Sequence, residues 1–112
     1  MKSFSERCYN LLRKVPRGKV TTYKALAHAL HTRAYRAVGR AMNKNPHAPI
    51  VPCHRVINSD GRLGGFASGL QNKISLLKKE GVEIKNNSID LKKFGYSFNQ
   101  EFLFHSTSPR KG

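Results

Sequence analysis

Acidic residues are scarce in this 112-residue chain, and long hydrophobic runs are missing. Six Asp and Glu residues stand against 21 Lys and Arg, which gives a formal net charge of +15. An excess of this size favours polyanionic partners, chiefly nucleic acid or an anionic membrane. No apolar run approaches the roughly 20 residues that span a bilayer, and the N-terminus does not resemble a signal peptide. The length fits one domain, and we predict a cytoplasmic protein, or a nuclear one in a eukaryote, with no membrane association.

Cysteine is also rare. Only Cys8 and Cys53 are present, and no CxxC pair indicates a zinc site or a redox motif. Both are predicted to be free thiols in a reducing cell. Cys8 falls on the apolar face of a helix that Ser3 can cap and that we predict to run to about Val15, so Cys8 is expected in the hydrophobic core. Cys53 stands in a different setting, the run VPCHRVI.

Two further helices are predicted after a turn at residues 16–19. Thr21 or Thr22 can cap a helix over TTYKALAHAL, and a third helix is predicted over about residues 34–43, where a proline soon follows. Two helices joined by a few residues, the second short and basic, are typical of a helix-turn-helix. The small residues of the third helix could let its backbone approach a DNA groove, or they could pack on a neighbouring helix while the arginines are merely solvated. The pattern favours neither alternative.

Glycine is concentrated in residues 61–69, where four glycines exclude a regular element. They indicate either a loop that lets the backbone approach a ligand or an ordinary surface loop. A fourth helix is predicted over residues 70–79, ended by Gly81 in a left-handed conformation. The stretch after it predicts a short hairpin or an irregular packed tail. The fold class is therefore mostly α, a winged-helix-like helix-turn-helix domain with a short β segment at Cys53.

The run VPCHRVI could activate a thiol. A cysteine is a strong nucleophile only as thiolate, and a reference pKa of about 8.5 leaves little thiolate at neutral pH. His54 could take the proton, but neighbours on an extended segment point to opposite sides, so a water could have to connect them. A carboxylate that orients the imidazole completes such a site. Among the six acids, Glu80 is favoured and Asp60 is the rival.

Five motifs occur in order along the chain. They are GKVTTYKALA at 18–27, RAVGRAMNKNP at 36–46, VPCHRVI at 51–57, LGGFASGL at 63–70 and LLKKEG at 76–81. Together they resemble the catalytic domain of the O6-alkylguanine-DNA alkyltransferase family over about residues 4–84. The resemblance implies a DNA repair protein, a methylated-DNA–protein-cysteine methyltransferase, that moves the alkyl group of O6-alkylguanine irreversibly onto its own cysteine. O4-alkylthymine is a further candidate substrate.

The resemblance also implies the roles of the catalytic residues. Cys53 attacks the alkyl carbon, His54 acts as base through a water, and Glu80 orients His54. Asn45 resembles the hinge residue that ties the recognition helix to the active-site segment. Tyr23 resembles the family tyrosine whose hydroxyl lies near the base.

Nucleotide flipping is implied as well, because O6 of a stacked base is not accessible to a buried thiol. Arg36 resembles the arginine finger that fills the gap in the stack, and the small residues of its helix allow docking in the minor groove. The predicted DNA-binding residues are Thr22, Tyr23, Arg36, Ala37, Gly39, Arg40 and Lys44. The predicted base pocket consists of Val56, Leu63, Phe66, Ala67 and Leu70.

The resemblance divides the chain into a catalytic and DNA-binding domain at residues 1–84 and a C-terminal extension at 85–112, partly irregular or disordered. Many family members carry a further N-terminal domain, sometimes with zinc, which this chain does not contain, so neither metal nor cofactor is predicted. The expected partner is double-stranded DNA containing O6-alkylguanine, bound by a monomer. One alternative is an alkyltransferase-like protein that binds lesions without transfer, against which Cys53 argues. Another is a basic nucleic-acid-binding winged-helix protein in which Cys53 is buried and inert.

Overall fold

The structure is a computed structural model that describes residues 3–47, 50–64 and 69–98. Phe66 and Ala67, two of the predicted base-pocket residues, lie outside these ranges, and so do residues 99–112 of the extension. The elements in chain order are helix α1 (Phe4–Leu12), strand β1 (Thr21–Thr22), helix α2 (Tyr23–Ala29), helix α3 (Tyr35–Asn43), a 3-10 turn (Cys53–Arg55), strand β2 (Val56–Ile57), helix α4 (Leu70–Lys79) and helix α5 (Leu91–Phe94).

Helix α1 begins at a capping box. The Ser3 hydroxyl accepts from the Glu6 amide at 3.1 Å, and the Glu6 carboxylate accepts from the Ser3 amide at 2.9 Å. The helix ends at Leu12, so the predicted end at Val15 is wrong. The chain tightens there, because Val15 donates to the carbonyl of Leu12, and the proline that follows disfavours helical geometry. Cys8 is 0% exposed, which confirms its predicted place in the core.

Helices α2 and α3 form the predicted helix-turn-helix. Thr22 caps α2, since its hydroxyl accepts from the amide of Ala25 at 2.9 Å. Helix α3 begins at Tyr35, one residue later than predicted, and packs against α2. Tyr9 of α1 donates its hydroxyl to the carbonyl of Ala41 at 2.8 Å. The three helices therefore enclose one core.

A short parallel sheet joins this three-helix unit to the segment around Cys53. Strand β1 pairs with β2, with Thr21 opposite Val56. The C-terminal extension forms an isolated parallel bridge just before β1, in which Val20 donates to the carbonyl of Phe94 at 2.8 Å and Tyr96 donates to the carbonyl of Val20 at 2.7 Å. The pairing therefore fixes the segment that follows Cys53 against the strand that precedes α2.

Buried side chains form two hydrophobic clusters. The first lies between α1, α2 and α3 and includes both cysteines, and the second lies under β2, α4 and α5. Residues 85–98 contribute to both, with Phe98 in the first cluster and Ile89 in the second. The predicted division at residue 84 stays a prediction, and the packing continues across it.

The second half of the fold follows the sequence pattern closely up to Gly81. Helix α4 has the predicted bounds, and Gly81, at φ +88°, is its predicted left-handed cap. Asn86 and Asn87, at φ 52° and 58°, form a tight turn between the bridged residues Lys85 and Ser88, as the hairpin alternative predicts. The four-residue helix α5 was not predicted, because so short an element shows no helical period.

Candidate active site and DNA-binding surface

Cys53 begins a 3-10 turn, so the extended geometry predicted at Cys53 and His54 is wrong, whereas the predicted short β segment is present as β2 directly after the turn. Arg55 donates its amide to the carbonyl of Pro52 at 2.9 Å, and Val56 donates to the carbonyl of Cys53. The turn is held in place because the Arg55 side chain is anchored on two other parts of the fold. Cys53 is 7% exposed. Cys53 and His54 therefore do not alternate across a strand, and both lie in the interior.

His54 contacts Glu80 directly. Its Nε2 lies 2.9 Å from Oε2 of Glu80, the C-cap residue of α4. Asp60, the rival in sequence, lies in an exposed loop and accepts from the amide of Arg62 at 3.0 Å. Burial lowers the pKa of His54, and the hydrogen bond with Glu80 offsets only part of that effect. The imidazole is therefore neutral at pH 7, the form that can accept a proton.

Arg55 binds the same carboxylate and has no role in the sequence prediction. Its Nε donates to Oε1 of Glu80 at 2.9 Å and its Nη2 to Oε2 at 2.6 Å, while Nη1 donates to the carbonyl of Val15 at 2.8 Å. Burial raises the pKa of Glu80, but the hydrogen bonds from Arg55 and His54 outweigh it and the net pKa is lowered. Glu80 therefore remains ionised. The available signal was the position of Arg55 beside His54 in a chain with few acids.

A fully buried lysine was also missed. Lys73 is 0% exposed, and its Nζ donates to the carbonyls of Val56 at 2.7 Å and Leu63 at 2.6 Å. Burial lowers the pKa of Lys73 to about 8, and the charge of a Cys53 thiolate opposes that shift. A cation near a sulfur atom stabilises its thiolate. Lysine is seldom fully buried, and the only signal was its place one turn before Leu77 on α4.

Asn45 and Tyr23 approach the same segment from the helix-turn-helix. Asn45 donates its Nδ2 to the carbonyl of Val51 at 2.7 Å, and its Oδ1 accepts from the amide of His47 at 2.9 Å. The end of α3 is thereby tied to the residues before Cys53. Burial raises the pKa of Tyr23, and the charge of Cys53 raises it further. Tyr23 is therefore a protonated phenol at neutral pH, within electrostatic reach of the sulfur.

A cleft of about 610 Å³ opens beside Tyr23. Helices α2 and α3 form one wall, and the loop after β2 forms the other. The lining residues are Tyr23, Lys24, Tyr35, Arg36, Gly39, Asn58, Ser59 and Asp60. Two of the predicted DNA-binding residues of α3, Arg36 and Gly39, therefore face one cleft with Tyr23.

The other four predicted DNA-binding residues do not line this cleft. They are Thr22, Ala37, Arg40 and Lys44. Arg40 and Lys44 are exposed on α3, and Ala37 is half-buried. Thr22 lines a different cleft, of about 410 Å³, and its hydroxyl is used in capping α2. At Gly39, no atom lies within 4 Å of the place that a Cβ would take. The α3 surface is therefore open at this point.

Three of the predicted base-pocket residues, Val56, Leu63 and Leu70, lie within the described residues. Val56 and Leu63 are buried, each in a different hydrophobic cluster, and Leu70 is exposed at the start of α4. Leu63 and Leu70 both line a cleft of about 360 Å³. The carbonyl of Val56 already accepts from Lys73, which leaves one of its two lone pairs for a ligand.

Within residues 3–47, 50–64 and 69–98, no three His, Cys, Asp or Glu side chains converge as metal ligands. No helix of the described chain is long and apolar enough to cross a bilayer. The fold and the site define a helix-turn-helix protein with a buried cysteine beside a histidine–carboxylate pair.

The family follows from comparison with known proteins. The profile described as "6-O-methylguanine DNA methyltransferase, DNA binding domain" matches residues 3–82. The chain belongs to this family. It is 53% identical over 78 residues to the methylated-DNA–protein-cysteine methyltransferase of Methanosarcina barkeri, a match that covers 69% of this chain and 49% of that protein. It is 45% identical over 104 residues to a bifunctional methyltransferase/endonuclease of Picrophilus torridus, a match that covers 92% of this chain and 33% of that protein. The chain thus spans a third to about half of these relatives.

Solved structures that resemble this chain include members of the same family. The O6-methylguanine-DNA methyltransferase of Pyrococcus kodakaraensis is 47% identical with a TM-score of 0.67, over 73% of this chain and 48% of that one. The M. tuberculosis OGT in complex with DNA is 40% identical with a TM-score of 0.68, over 71% and 50%. S. pombe Atl1, in complex with damaged DNA containing O6-carboxymethylguanine, is 31% identical with a TM-score of 0.77, over 87% and 99%.

Proposed function

We propose that this chain repairs DNA by moving the alkyl group from O6 of a damaged guanine to Sγ of Cys53. The observation that carries the proposal is the placement of the buried Cys53 next to the bonded pair of His54 and Glu80, in a chain of this family. Relatives named for methyl transfer to a protein cysteine support the same reaction.

In the proposed step, the Cys53 thiol first gives its proton to the neutral His54, through a water. The thiolate then forms an S–C bond with the alkyl carbon as the bond from that carbon to O6 breaks. The electron pair of the broken bond stays on the guanine, which takes a proton from the protonated Tyr23 phenol. The protonated His54 returns the thiol proton to the Tyr23 oxygen through water, so both groups end in their starting forms. The thioether is stable, so each molecule acts once.

Access to O6 requires that the nucleotide leave the base stack. Arg36, exposed on α3 and lining the cleft with Tyr23, is proposed to take its place in the duplex. Arg36→Ala should slow repair in duplex DNA much more than reaction with the free base, since only the duplex must be opened. Equal reductions of the rate on duplex DNA and on the free base would contradict the proposed role of Arg36 in opening the duplex. The acting unit is proposed to be a monomer on double-stranded DNA.

Stoichiometry tests the transfer. Increasing amounts of protein are mixed with a fixed amount of duplex containing O6-methylguanine, and restored guanine is measured. We expect one guanine per protein molecule at the end point. Cys8→Ala is the matched control and should keep this value, because Cys8 belongs to the core, whereas Cys53→Ala should restore none. Restoration by Cys53→Ala, or several guanines per molecule, would refute the proposal.

A second candidate is lesion binding without transfer. It is favoured by one observation: this chain aligns with 99% of S. pombe Atl1, whose structure contains damaged DNA. The two candidates separate when the lesion duplex is saturated with protein. A transferase restores the guanine, whereas a lesion binder retains the methylated base and an unmodified Cys53.

A further inference from the structure

A second basic surface is built from three segments outside helix α3. These are the turn at residues 16–19, the end of α4 and the helix α5. Arg17 Nη2 donates to the carbonyl of Lys79 at 2.8 Å, and Lys19 Nζ donates to the carbonyl of Lys93 at 3.1 Å, so the turn reaches both helices. The cations of this second basic surface are Arg17, Lys19, Lys78, Lys79, Lys92 and Lys93.

Few carboxylates neutralise these cations. Glu80 is held inside the site by His54 and Arg55. Glu83 pairs with Lys93 at 3.3 Å, and both side chains are about 60% exposed. Asp90 caps α5. The lysines in the last turns of α4 and α5 are favourable at a helix C-terminus, but that effect does not account for Arg17 and Lys19 in the turn.

The second basic surface and helix α3 rest on different hydrophobic clusters. Helix α3 contributes Val38, Ala41 and Met42 to the first cluster, whereas Leu77 of α4 and Phe94 of α5 belong to the second. Helix α3 and the two helices of the second basic surface therefore belong to different parts of the fold.

The residues around these charges indicate which polyanion fits. A protein that lies on a membrane uses exposed apolar residues together with its basic ones. Among the described residues, the exposed large hydrophobics are Tyr35, Ile50 and Leu70, and none belongs to the second basic surface. Charge without apolar anchors fits the sugar-phosphate backbone, which is bound by neutralising phosphates.

We propose that the second basic surface binds a second DNA duplex without sequence or lesion preference, so that one molecule bridges two DNA segments. This goes beyond the proposed repair reaction and does not depend on it. Bridging lets a protein that acts once pass directly from one segment to another during its search, instead of returning to bulk solvent.

The test measures capture of a fluorescent, lesion-free duplex by the full chain bound to an immobilised lesion-free duplex. Lys78→Gln/Lys79→Gln/Lys92→Gln removes three charges from the second basic surface. Arg33→Gln/Arg40→Gln/Lys44→Gln removes three exposed charges from around α3 and is the matched control. The thermal unfolding midpoints of both variants are measured first, to establish that each is folded.

We expect the second-surface variant to capture at least about tenfold less duplex. The slope of the logarithm of the capture constant against the logarithm of the salt concentration should become shallower by about 3 units, since each neutralised phosphate contributes about 0.9. The affinity of the second-surface variant for one short duplex should remain near that of wild type. The α3 variant should lose both its affinity for one duplex and its capture of a second. Unchanged capture by the second-surface variant would overturn the proposal and leave contact between two protein molecules as the cause of bridging. Weaker binding to anionic phospholipid vesicles with unchanged duplex capture would overturn it in favour of a membrane.

Discussion

Arg55 binds both carboxylate oxygens of Glu80, through Nε at 2.9 Å and Nη2 at 2.6 Å. The same carboxylate lies 2.9 Å from Nε2 of His54. Because Arg55 also donates to the carbonyl of Val15, it links the turn after α1 to the end of α4. Arg55 is therefore the residue that positions the carboxylate, and the carboxylate positions the imidazole.

Arg55→Lys should lower the free energy of unfolding by about 2–3 kcal/mol, because an ammonium cannot replace the bidentate pair and the bond to Val15 together. Urea unfolding measures this. Arg62→Lys is the matched control, since the pair of Arg62 with Asp60 is exposed and 3.7 Å apart. The control should change stability by less than about 0.5 kcal/mol. Equal effects of both substitutions would contradict the positioning role of Arg55.

Acid should destabilise the protein in two stages. The pKa of His54 lies below its ordinary 6.5 and that of Glu80 below its ordinary 4.5 in the folded chain. In each case the unfolded chain takes up the proton first, so stability falls as pH drops below 6.5 and falls further below 4.5. Each pH unit in which one group is protonated only in the unfolded chain costs about 1.4 kcal/mol.

Urea unfolding between about pH 8 and about pH 4 measures both stages. His54→Gln should remove the loss of stability that begins below pH 6.5. It should keep the loss that begins below pH 4.5, because Glu80 still pairs with Arg55. A wild-type stability that rises on going from neutral to mildly acidic pH would contradict the lowered pKa of His54.

Lys73→Met should remove a rise of stability in the alkaline range. The folded protein releases the Lys73 proton near pH 8 and the unfolded chain near its ordinary 10.5, so wild-type stability gains between these values relative to the variant. The gain should approach about 1.4 kcal/mol per pH unit. Lys78→Met, at an exposed position of the same helix, should run parallel to wild type. A constant difference between wild type and Lys73→Met would contradict the lowered pKa of Lys73.

Gly39→Ala separates folding from DNA binding. The added methyl meets no atom within 4 Å, and alanine is favoured over glycine inside a helix, so stability should rise by about 0.5–1 kcal/mol. Binding to duplex DNA should weaken severalfold, because the methyl projects into the cleft shared with Arg36. Fluorescence anisotropy with a labelled duplex measures the affinity. Undiminished affinity in the stabilised variant would place the DNA elsewhere.

Local sequence signals predicted much of the fold. Ser3 and one of the two candidate threonines, Thr22, do cap helices, and Gly81 does end α4. These features depend on a few neighbouring residues, so their physical cause is visible in a short stretch of sequence. The helix-turn-helix was predicted for the same reason, from helical periods separated by a short break.

Features that depend on distant residues could not be predicted. The 3-10 turn at Cys53 is anchored through Arg55, whose partners Val15 and Glu80 are 40 and 25 positions away. Lys73 is buried because two carbonyls satisfy its ammonium, and no sequence pattern shows where those carbonyls will point. The choice of Glu80 over Asp60 was likewise fixed only by the packing of α4.

The proposed reaction places the alkyl group on the sulfur of Cys53. To test this, the protein is incubated with duplex DNA containing O6-methylguanine and then digested with a protease. The masses of the two cysteine-containing peptides are measured by mass spectrometry. We expect the Cys53 peptide to gain one methyl group in place of a hydrogen, while the Cys8 peptide keeps its mass. An unmodified Cys53 peptide at full DNA binding, or a methyl group on Cys8, would contradict it.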